Sequence, residues 1–548
     1  MSLLLSSLIH SDTLWLLPVA SILYLCYRRY TRISISHVPG PEPKSFLLGN
    51  LVEYFTDEAS LADFRWQETY GDVVRFRSVL GEERLLICDP KALQHIHHTS
   101  GYNWHKQEER RELTDLIAGK GLLWADKDTH KRQRKVMLPG FGGPEVRAFL
   151  PVFAAHVETL TSRWKDILST SVDEAAVMDV PLWLSRTALD TIGEAAFDYQ
   201  FDAIDDSEND LGKAYFNLLS LTFASPSKLS LFMIHSWGFI PAWIRRFIAR
   251  KSPMFDRARY TEETANKVAR SLMESKTRAL LQGKGNRDVM SILVQANASE
   301  NPNAQLSEDE MLAQMRTLML AGHETIAQTT SWALYELAKS PEIQQRLRKE
   351  IHDMEDKLRQ KGQSNFKQSD FDAMPYLSAI VKEVLRYHPV LPVSHRQAGK
   401  DDVLPLSTPI TTTKGEVIYE LPVPKGLKVT TSVAGYNRNK QVFGEDAHIF
   451  NPERWLNGTV ELKETRLGAY ANILTFAGGV RTCIGWRFAV LELHVFLSEL
   501  ISNFEFALTP EAQHIRREAA LTMVPTVRGE VEKGVQLPLR IRIAQRDE

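Results

Sequence analysis

The order of apolar and polar positions divides the chain into a short lead and a long, mixed body. Residues 14–27 are almost wholly apolar, preceded by a weaker apolar run at 3–9 and followed at once by Arg28, Arg29 and Arg32. Fourteen helical residues cover roughly 21 Å against a hydrocarbon core of about 30 Å, so a full span also recruits residues 10–13 and leaves Asp12 near the far interface. The run Val38-Pro39-Gly40-Pro41-Glu42-Pro43 cannot continue a helix and predicts a stiff hinge. Beyond it, β-like runs at 73–77 and 84–88 flank the turn-compatible Leu80-Gly81-Glu82-Glu83, and from about residue 145 the apolar spacing becomes mostly helical.

The longest predicted helix opens on Ser307-x-x-Glu310, the reciprocal capping pattern, and runs to Lys339. Ser340-Pro341 stops it and starts the next helix, with proline in the first position. Roughly 30 residues make a rod about 45 Å long, enough to cross the body of the protein. Ala321-Gly322-His323-Glu324-Thr325 lies near its middle. Further helix-like runs cover 376–387 and 486–504, and β-like runs cover 428–433 and 536–543. No internal repeat and no break in composition marks a second domain in the body.

Composition narrows the function classes. With 43% hydrophobic and 24% charged residues the chain can bury a large core. A net charge of -2 carries no global nucleic-acid footprint. Of three cysteines, Cys26 lies in the apolar lead, so no disulfide framework is expected and the body faces a reducing compartment. The arginines after the apolar run place that body on the cytosolic side under the positive-inside rule. A cleaved signal peptide is the alternative, but it lacks a positive leading segment and a small-x-small cleavage site.

Candidate chemistry centres on Phe476-Ala477-Gly478-Gly479-Val480-Arg481-Thr482-Cys483-Ile484-Gly485. A cysteine in a glycine-rich loop before a helix has N–H groups and a helix N-terminus to stabilise its thiolate. Such a sulfur can hold haem iron. A lone cysteine is more often buried and inert. Glu383-Val384-Leu385-Arg386 sets an acid and an arginine one turn apart, a pairing that is usually a solvated ion pair. In the long helix, Ala321-Gly322 removes side-chain bulk where a small ligand can approach, beside an acid and an alcohol, Glu324-Thr325. Reductive activation of dioxygen consumes protons, and a hydroxyl can position the water that carries them. Thr325 can also bond to the carbonyl one turn back. His130 and Arg134, in a basic run at 128–135, stand one turn apart and can face one carboxylate.

The loop around Cys483 resembles the haem-binding signature of the cytochrome P450 family at Phe476, Gly479, Arg481, Cys483 and Gly485. The Glu383–Arg386 pair and Phe450-Asn451-Pro452-Glu453-Arg454-Trp455 resemble its two structural motifs, and Glu324-Thr325 its acid-alcohol pair, except that Ile326 stands where many members carry a second hydroxyl. The resemblance spans about residues 38–545. It implies a mainly α fold with small β-sheets, that of a cytochrome P450 with an N-terminal transmembrane helix: residues 1–37 as anchor and basic flank, residues 38–548 as the catalytic haem domain. It implies haem b held by Cys483, with Phe476 packed beside the thiolate loop. Arg481, Arg396 and the pair His130 and Arg134 would bind its propionates, leaving Lys131, Arg132 and Lys135 free for an acidic partner. Glu383, Arg386 and Arg454 would form a buried triad.

By the same resemblance, the activity would be insertion of one oxygen atom of O2 into an apolar small molecule, a terpenoid or another secondary metabolite, in the manner of fungal enzymes. Electrons would come from NADPH-cytochrome P450 reductase, with cytochrome b5 a second donor. The location would be the endoplasmic reticulum membrane, single-pass, with the catalytic domain cytosolic and no nucleic-acid partner. Regions at 101–123, 214–251 and 529–536 would face substrate, residues 390–394 would line the pocket, and Phe232, Trp237, Phe239, Trp243 and Phe247, near Arg245, Arg246 and Arg250, can meet lipid. Two alternatives stay open: a haem-thiolate isomerase or dehydratase that uses no O2, and a non-catalytic haem sensor or carrier.

Overall fold

A computed structural model describes residues 33–546 apart from 206–209, 253–254, 283–287, 298–304, 459 and 461–465. The expected membrane anchor therefore lies outside the described residues. Among these, no helix is long and apolar enough to cross a membrane. The body is mainly helical with small sheets at its margins.

The long helix, Glu308–Lys339, forms as its sequence dictates. Ser307 accepts from the Glu310 N–H while the Glu310 carboxylate accepts from the Ser307 N–H. Residues 311–320 and 326–334 are buried, so the rod runs through the core. Val180–Phe197 packs along it most extensively, and Trp486–Asn503 and Pro375–Tyr387 also lie against it. Gly322 serves that packing. A Cβ there would press on the Ile192 side chain, so this glycine admits a neighbouring helix, whereas small size for ligand access was expected. Pro341–Gln360 follows with Pro341 in the first position, although the Ser340 side chain makes no cap bond.

The largest sheet has five strands in the order Val73–Arg77, Glu83–Ile87, Lys428–Ser432, Val393–Ala398 and Trp104–His105. Only the pairing of Glu83–Ile87 with Lys428–Ser432 is parallel. The prolines at 39–43 are not a free hinge: Pro39 O accepts from Arg75 N at 3.0 Å, Val38 O accepts from Arg75 Nε at 3.0 Å, and Val38 is fully buried. The chain is part of the body from Ile35 onward, since Ile35 is buried in the core and His37 O accepts from Thr413 N. Five helices between Leu51 and Met137 also went unread, except the basic one implied by resemblance. Leu51–Thr56 and Pro90–Gln94 are short, and a window of one or two turns holds too few apolar positions to show a period.

Near the C-terminus, Ile515–Ala520 and Thr522–Val527 form a hairpin in which Ala520 pairs with Thr522. Leu521 alone makes the tip, at φ +63°. A non-glycine residue in this left-handed region costs about 1–2 kcal/mol, so its surroundings must hold it there. Met523 N donates to Val390 O at 2.7 Å and Trp332 Nε1 donates to Met523 O at 3.2 Å, which fixes the tip against the long helix.

Candidate functional site

Cys483 sits between a short strand and a helix. Ile473–Gly478 leads into a tight turn, and the chain then enters Trp486–Asn503. Gly479 takes φ +62°, and a Cβ there would run into the His97 carbonyl, so only glycine fits. Cys483 N donates to Phe476 O at 2.8 Å, which places buried Phe476 beside the thiol loop as expected. Burial pushes the Cys483 thiol up in pKa, while the Gly485 N–H and the Arg134 charge pull it down. Its surface is accessible although protein surrounds it closely, so it opens into an interior cleft.

A cluster of cations stands beside this loop. Lys127–Met137 starts at Asp126, whose carboxylate caps Lys127 N and pairs with Arg481. Burial raises the Asp126 carboxyl, but Arg481 and two backbone N–H bonds bring it down to about 2. Arg481 Nη1 also donates to Gly101 O at 2.7 Å. Arg134 Nη1 donates to Thr482 O at 2.6 Å, and His130 Nδ1 lies 2.8 Å from the Tyr102 hydroxyl. Arg396, on strand Val393–Ala398, is buried and pushed down to about 9 by burial and by Arg481. Lys106 is lowered by burial and by Arg396 and Arg481, and His130 falls to about 3 through burial and the charges of Lys106, Arg481 and Arg134.

The arginines repel one another inside the protein and oppose protonation of Lys106 and His130, with Asp126 the carboxylate among them. Buried like charges persist only when an anion compensates them. Arg481 Nε and His97 Nε2 are also buried without a protein partner. A thiol opening into a cleft beside surplus buried cations fits a flat group that carries a metal at its centre and carboxylates at its edge, as haem b does. The structure brings His130, Arg134, Arg396, Phe476, Arg481 and Cys483 together. Tyr102, Lys106, Asp126 and His97 join them, and no local pattern marked these four. Arg132 is not free as expected, because it pairs with Glu310 and donates to Gln305 O at 2.7 Å. Lys131 and Lys135 are exposed, but Lys131 is also not free, since it pairs with Asp128 at 3.0 Å.

Glu324 and Thr325 form a second group at the middle of the long helix. Ala321 is exposed there although the helix is buried on both sides, so its accessible surface belongs to an internal cavity. Leu391 and Leu521 repeat the pattern, at 46% and 38% exposure with buried residues on either side. The bonds of Met523 to Val390 and Trp332 bring their segments to the same stretch of helix. Thr325 Oγ1 donates to Ala321 O at 2.8 Å. Its single O–H is thereby committed, so the hydroxyl offers only lone pairs and can act as an acceptor for a water. Glu324 is buried and accepts from the Thr522 hydroxyl at 3.3 Å on Oε1, while Oε2 is buried without a hydrogen-bond partner. Burial pushes this carboxyl up to about 8, so it is an acid at neutral pH. The segment of the C-terminal region that reaches the acid is the tip at 520–523. Residues 529–536 pack instead near Asn217, whose Oδ1 accepts from Val535 N at 3.0 Å.

The triad is as expected, and larger. Glu383 accepts from Arg386 at 2.7 and 2.9 Å and from Arg454 Nε at 3.1 Å. Asn451 N at 2.8 Å and Trp455 Nε1 at 2.9 Å complete the set. Arg386 also donates to Asn437 O, Ala447 O and Ile449 O, and so ties Pro375–Tyr387 to the loops that precede the cysteine.

A family model described as Cytochrome P450 matches residues 39–532. Cytochrome P450 monooxygenase 205 of Postia placenta is 34% identical over 517 residues, covering 93% of each chain. Cytochrome P450 monooxygenase 81 of the same organism is 32% identical, covering 95% of this chain and 96% of its own. Cytochrome P450 monooxygenase claP of Ampulloclitocybe clavipes is 32% identical over 92% of each.

Proposed function

Because the chain belongs to the cytochrome P450 family, whose members hold haem b through a cysteine thiolate, we propose that Cys483 is the iron ligand of a monooxygenase that inserts one oxygen atom of O2 into an apolar small molecule. It is an oxidoreductase. The observation that carries the assignment is the meeting of Cys483 with buried, under-compensated cations. When bound, the haem supplies dioxygen binding and its reductive activation.

The protein's own contribution divides between two groups. Arg134, Arg396, Arg481 and His130 hold the carboxylates and so fix the plane of the cofactor. Gly479 and the Phe476 carbonyl shape the loop that presents the sulfur. On the helix side, Glu324 holds a proton, Thr325 holds a water through its lone pairs, and Leu391 and Leu521 with Ala321 favour an uncharged apolar substrate. Hydroxylation or epoxidation of a terpenoid or another secondary metabolite suits that lining. The proton-holding pair favours oxygen activation over isomerisation or a sensor role, since neither of those needs an acid kept neutral beside an alcohol.

Electrons would come from an NADPH-dependent cytochrome P450 reductase, with cytochrome b5 as a second donor. The outer side of the Cys483 loop offers a cleft of about 470 Å³, lined by His98, Leu467, Gly479, Val480 and Thr482 among others. Exposed Lys131 and Lys135 lie on the helix that reaches Thr482. Residues 1–37 would anchor the catalytic body, 38–548, on the cytosolic face of the endoplasmic reticulum. Phe239, Trp243 and Phe247, at 56, 72 and 65% exposure, form an aromatic edge suited to the same lipid surface.

Replacing Cys483 with Ala or Ser tests the ligand assignment. The thiolate-type spectrum of the reduced carbon monoxide complex should vanish, and its survival would show that another residue holds the iron. Product formation that requires NADPH, reductase and O2 separates the monooxygenase from its two rivals.

A further inference from the structure

We propose that Thr522 is a positioning residue for the proton donor Glu324, fixing which carboxyl oxygen carries the proton and so making the C-terminal hairpin a working part of oxygen activation. This rests on the reading of Glu324 and Thr325 as the proton-delivering pair.

The geometry is specific. Thr522 donates to Glu324 Oε1 at 3.3 Å across a separation of 198 residues. An oxygen that accepts this bond has carbonyl character, so the proton of the neutral acid resides on Oε2. Oε2 is buried and has no hydrogen-bond partner. A buried donor without a partner is costly, and its persistence marks a group whose partner arrives in the reaction. When the Oε2–H bond breaks, the proton passes to a water held by Thr325, that water gives one of its own protons to the reduced dioxygen, and the carboxylate charge remains on Glu324. The Thr522 O–H, already aimed at Oε1, then stabilises that charge as a stronger, charge-assisted bond. Solvent restores the proton for the next turnover.

The hairpin holds Thr522 in place at a cost. Leu521, next in the chain, takes the left-handed conformation at φ +63° to make a tip of one residue. Met523, on the other side, is locked to Val390 and Trp332. Thr522 is therefore fixed between a strained residue that faces the cavity and a residue bonded to the long helix. A substrate that displaces Leu521 must also move the hydroxyl that positions the acid. Substrate fit and proton delivery share one hairpin.

The test uses full-length holoenzyme and the variants Thr522→Val and Thr522→Ser. The first readout is the infrared C=O stretch of the protonated Glu324 carboxyl, identified by its loss in Glu324→Gln, which needs no turnover. The second is hydrogen peroxide formed per NADPH oxidised with reductase and no added substrate. Peroxide release follows O2 + NADPH + H⁺ → H2O2 + NADP⁺, whereas full reduction to water consumes two NADPH and needs further protons. Thr522→Val should shift the infrared band and raise the peroxide ratio toward one, and Thr522→Ser should restore both. A shifted band with an unchanged ratio, or a raised ratio that Thr522→Ser does not restore, overturns the proposal. An unchanged band removes the contact itself. If Glu324→Gln and Thr325→Ala also leave the ratio unchanged, the reading of the pair fails, and that result is distinct from failure of Thr522 alone.

Discussion

Two buried glutamates on helices, Glu383 and Glu324, have the same side chain and opposite surroundings. Glu383 has both oxygens filled, by two arginines, an indole and a backbone N–H, and is fully buried. Glu324 has one hydroxyl on Oε1 and no hydrogen-bond partner on Oε2. Five donors stabilise a charge where water cannot, so Glu383 holds strands of chain together. One donor does not, so Glu324 keeps its proton, and a proton held inside the protein can be delivered. The completeness of the hydrogen-bond shell separates the structural acid from the chemical one.

The hardest blow to this comparison is Glu383→Ala. It leaves Arg386 and Arg454 as uncompensated buried charges, with an expected cost of roughly 3–5 kcal/mol. Little folded holoprotein should be recovered, as judged by haem content and by the denaturation midpoint. Normal stability with only turnover lost would place Glu383 on the chemical side and break the contrast.

Glu324→Gln tests the other half by the sign of a pH dependence. The folded acid is raised to about 8 by burial, against about 4.3 for an unperturbed glutamate, so across that window the native state binds a proton that the unfolded chain lacks. The associated stability is present in full below the lower value and is lost as pH rises through the upper one. Glutamine stays neutral throughout. Wild type and variant should therefore differ little in melting temperature near pH 5 and diverge by pH 9, where the variant is the more stable by several kcal/mol. A gap that does not widen with pH would show that Glu324 is not held neutral.

How much of this was legible in the sequence follows from how local each feature is. The capping box of Ser307 and Glu310, the Cys483 loop and the Glu383–Arg386 pair are each read within a few residues, and all three stand where the pattern placed them. Thr522 and Trp455 were missed as partners of the two glutamates because they arrive from 198 and 72 residues away. Asp126 pairs with Arg481 across 355 residues. No periodicity encodes such meetings. Gly322 was misread for a related reason: only the packing of Val180–Phe197 shows that the glycine admits Ile192 while Ala321 faces the cavity as expected. The anchor at 14–27 is legible only as an apolar run with its basic flank.

A smaller effect is expected from Thr325→Ala, which removes the acceptor for the water and leaves Glu324 in place. Stability should change by no more than about 0.5 kcal/mol. Product per NADPH should fall on the order of tenfold, less than the ~10²–10⁴ that a general acid itself contributes, with peroxide rising in step. A true substrate for this measurement is found by ferric spin-state titration across terpenoids, polyketides and fatty acids. Unchanged coupling would shift proton delivery to Glu324 alone or to hydroxyls of the substrate, and would leave the contrast with Glu383 resting on the pH experiment.

The finest test removes a single donor from the satisfied acid. Trp455 Nε1 gives one bond, at 2.9 Å, to Glu383 Oε2, which also accepts from Arg386 Nε at 2.9 Å. In Trp455→Phe the charge stays paired with both arginines, and the new ring can keep the edge contact with Phe443, whose centroid lies 6.3 Å from the indole. The expected cost is therefore that of one hydrogen bond to a charged group, about 1.5–3 kcal/mol, read from the denaturation midpoint. Peroxide per NADPH should not change. Thr522→Val makes the same chemical change at Glu324, the loss of one donor to a buried glutamate, and should do the reverse, altering the peroxide ratio with little effect on the midpoint. If both substitutions moved the same quantity, the number of filled acceptor sites would not be what distinguishes an acid that holds the fold from an acid that gives up its proton.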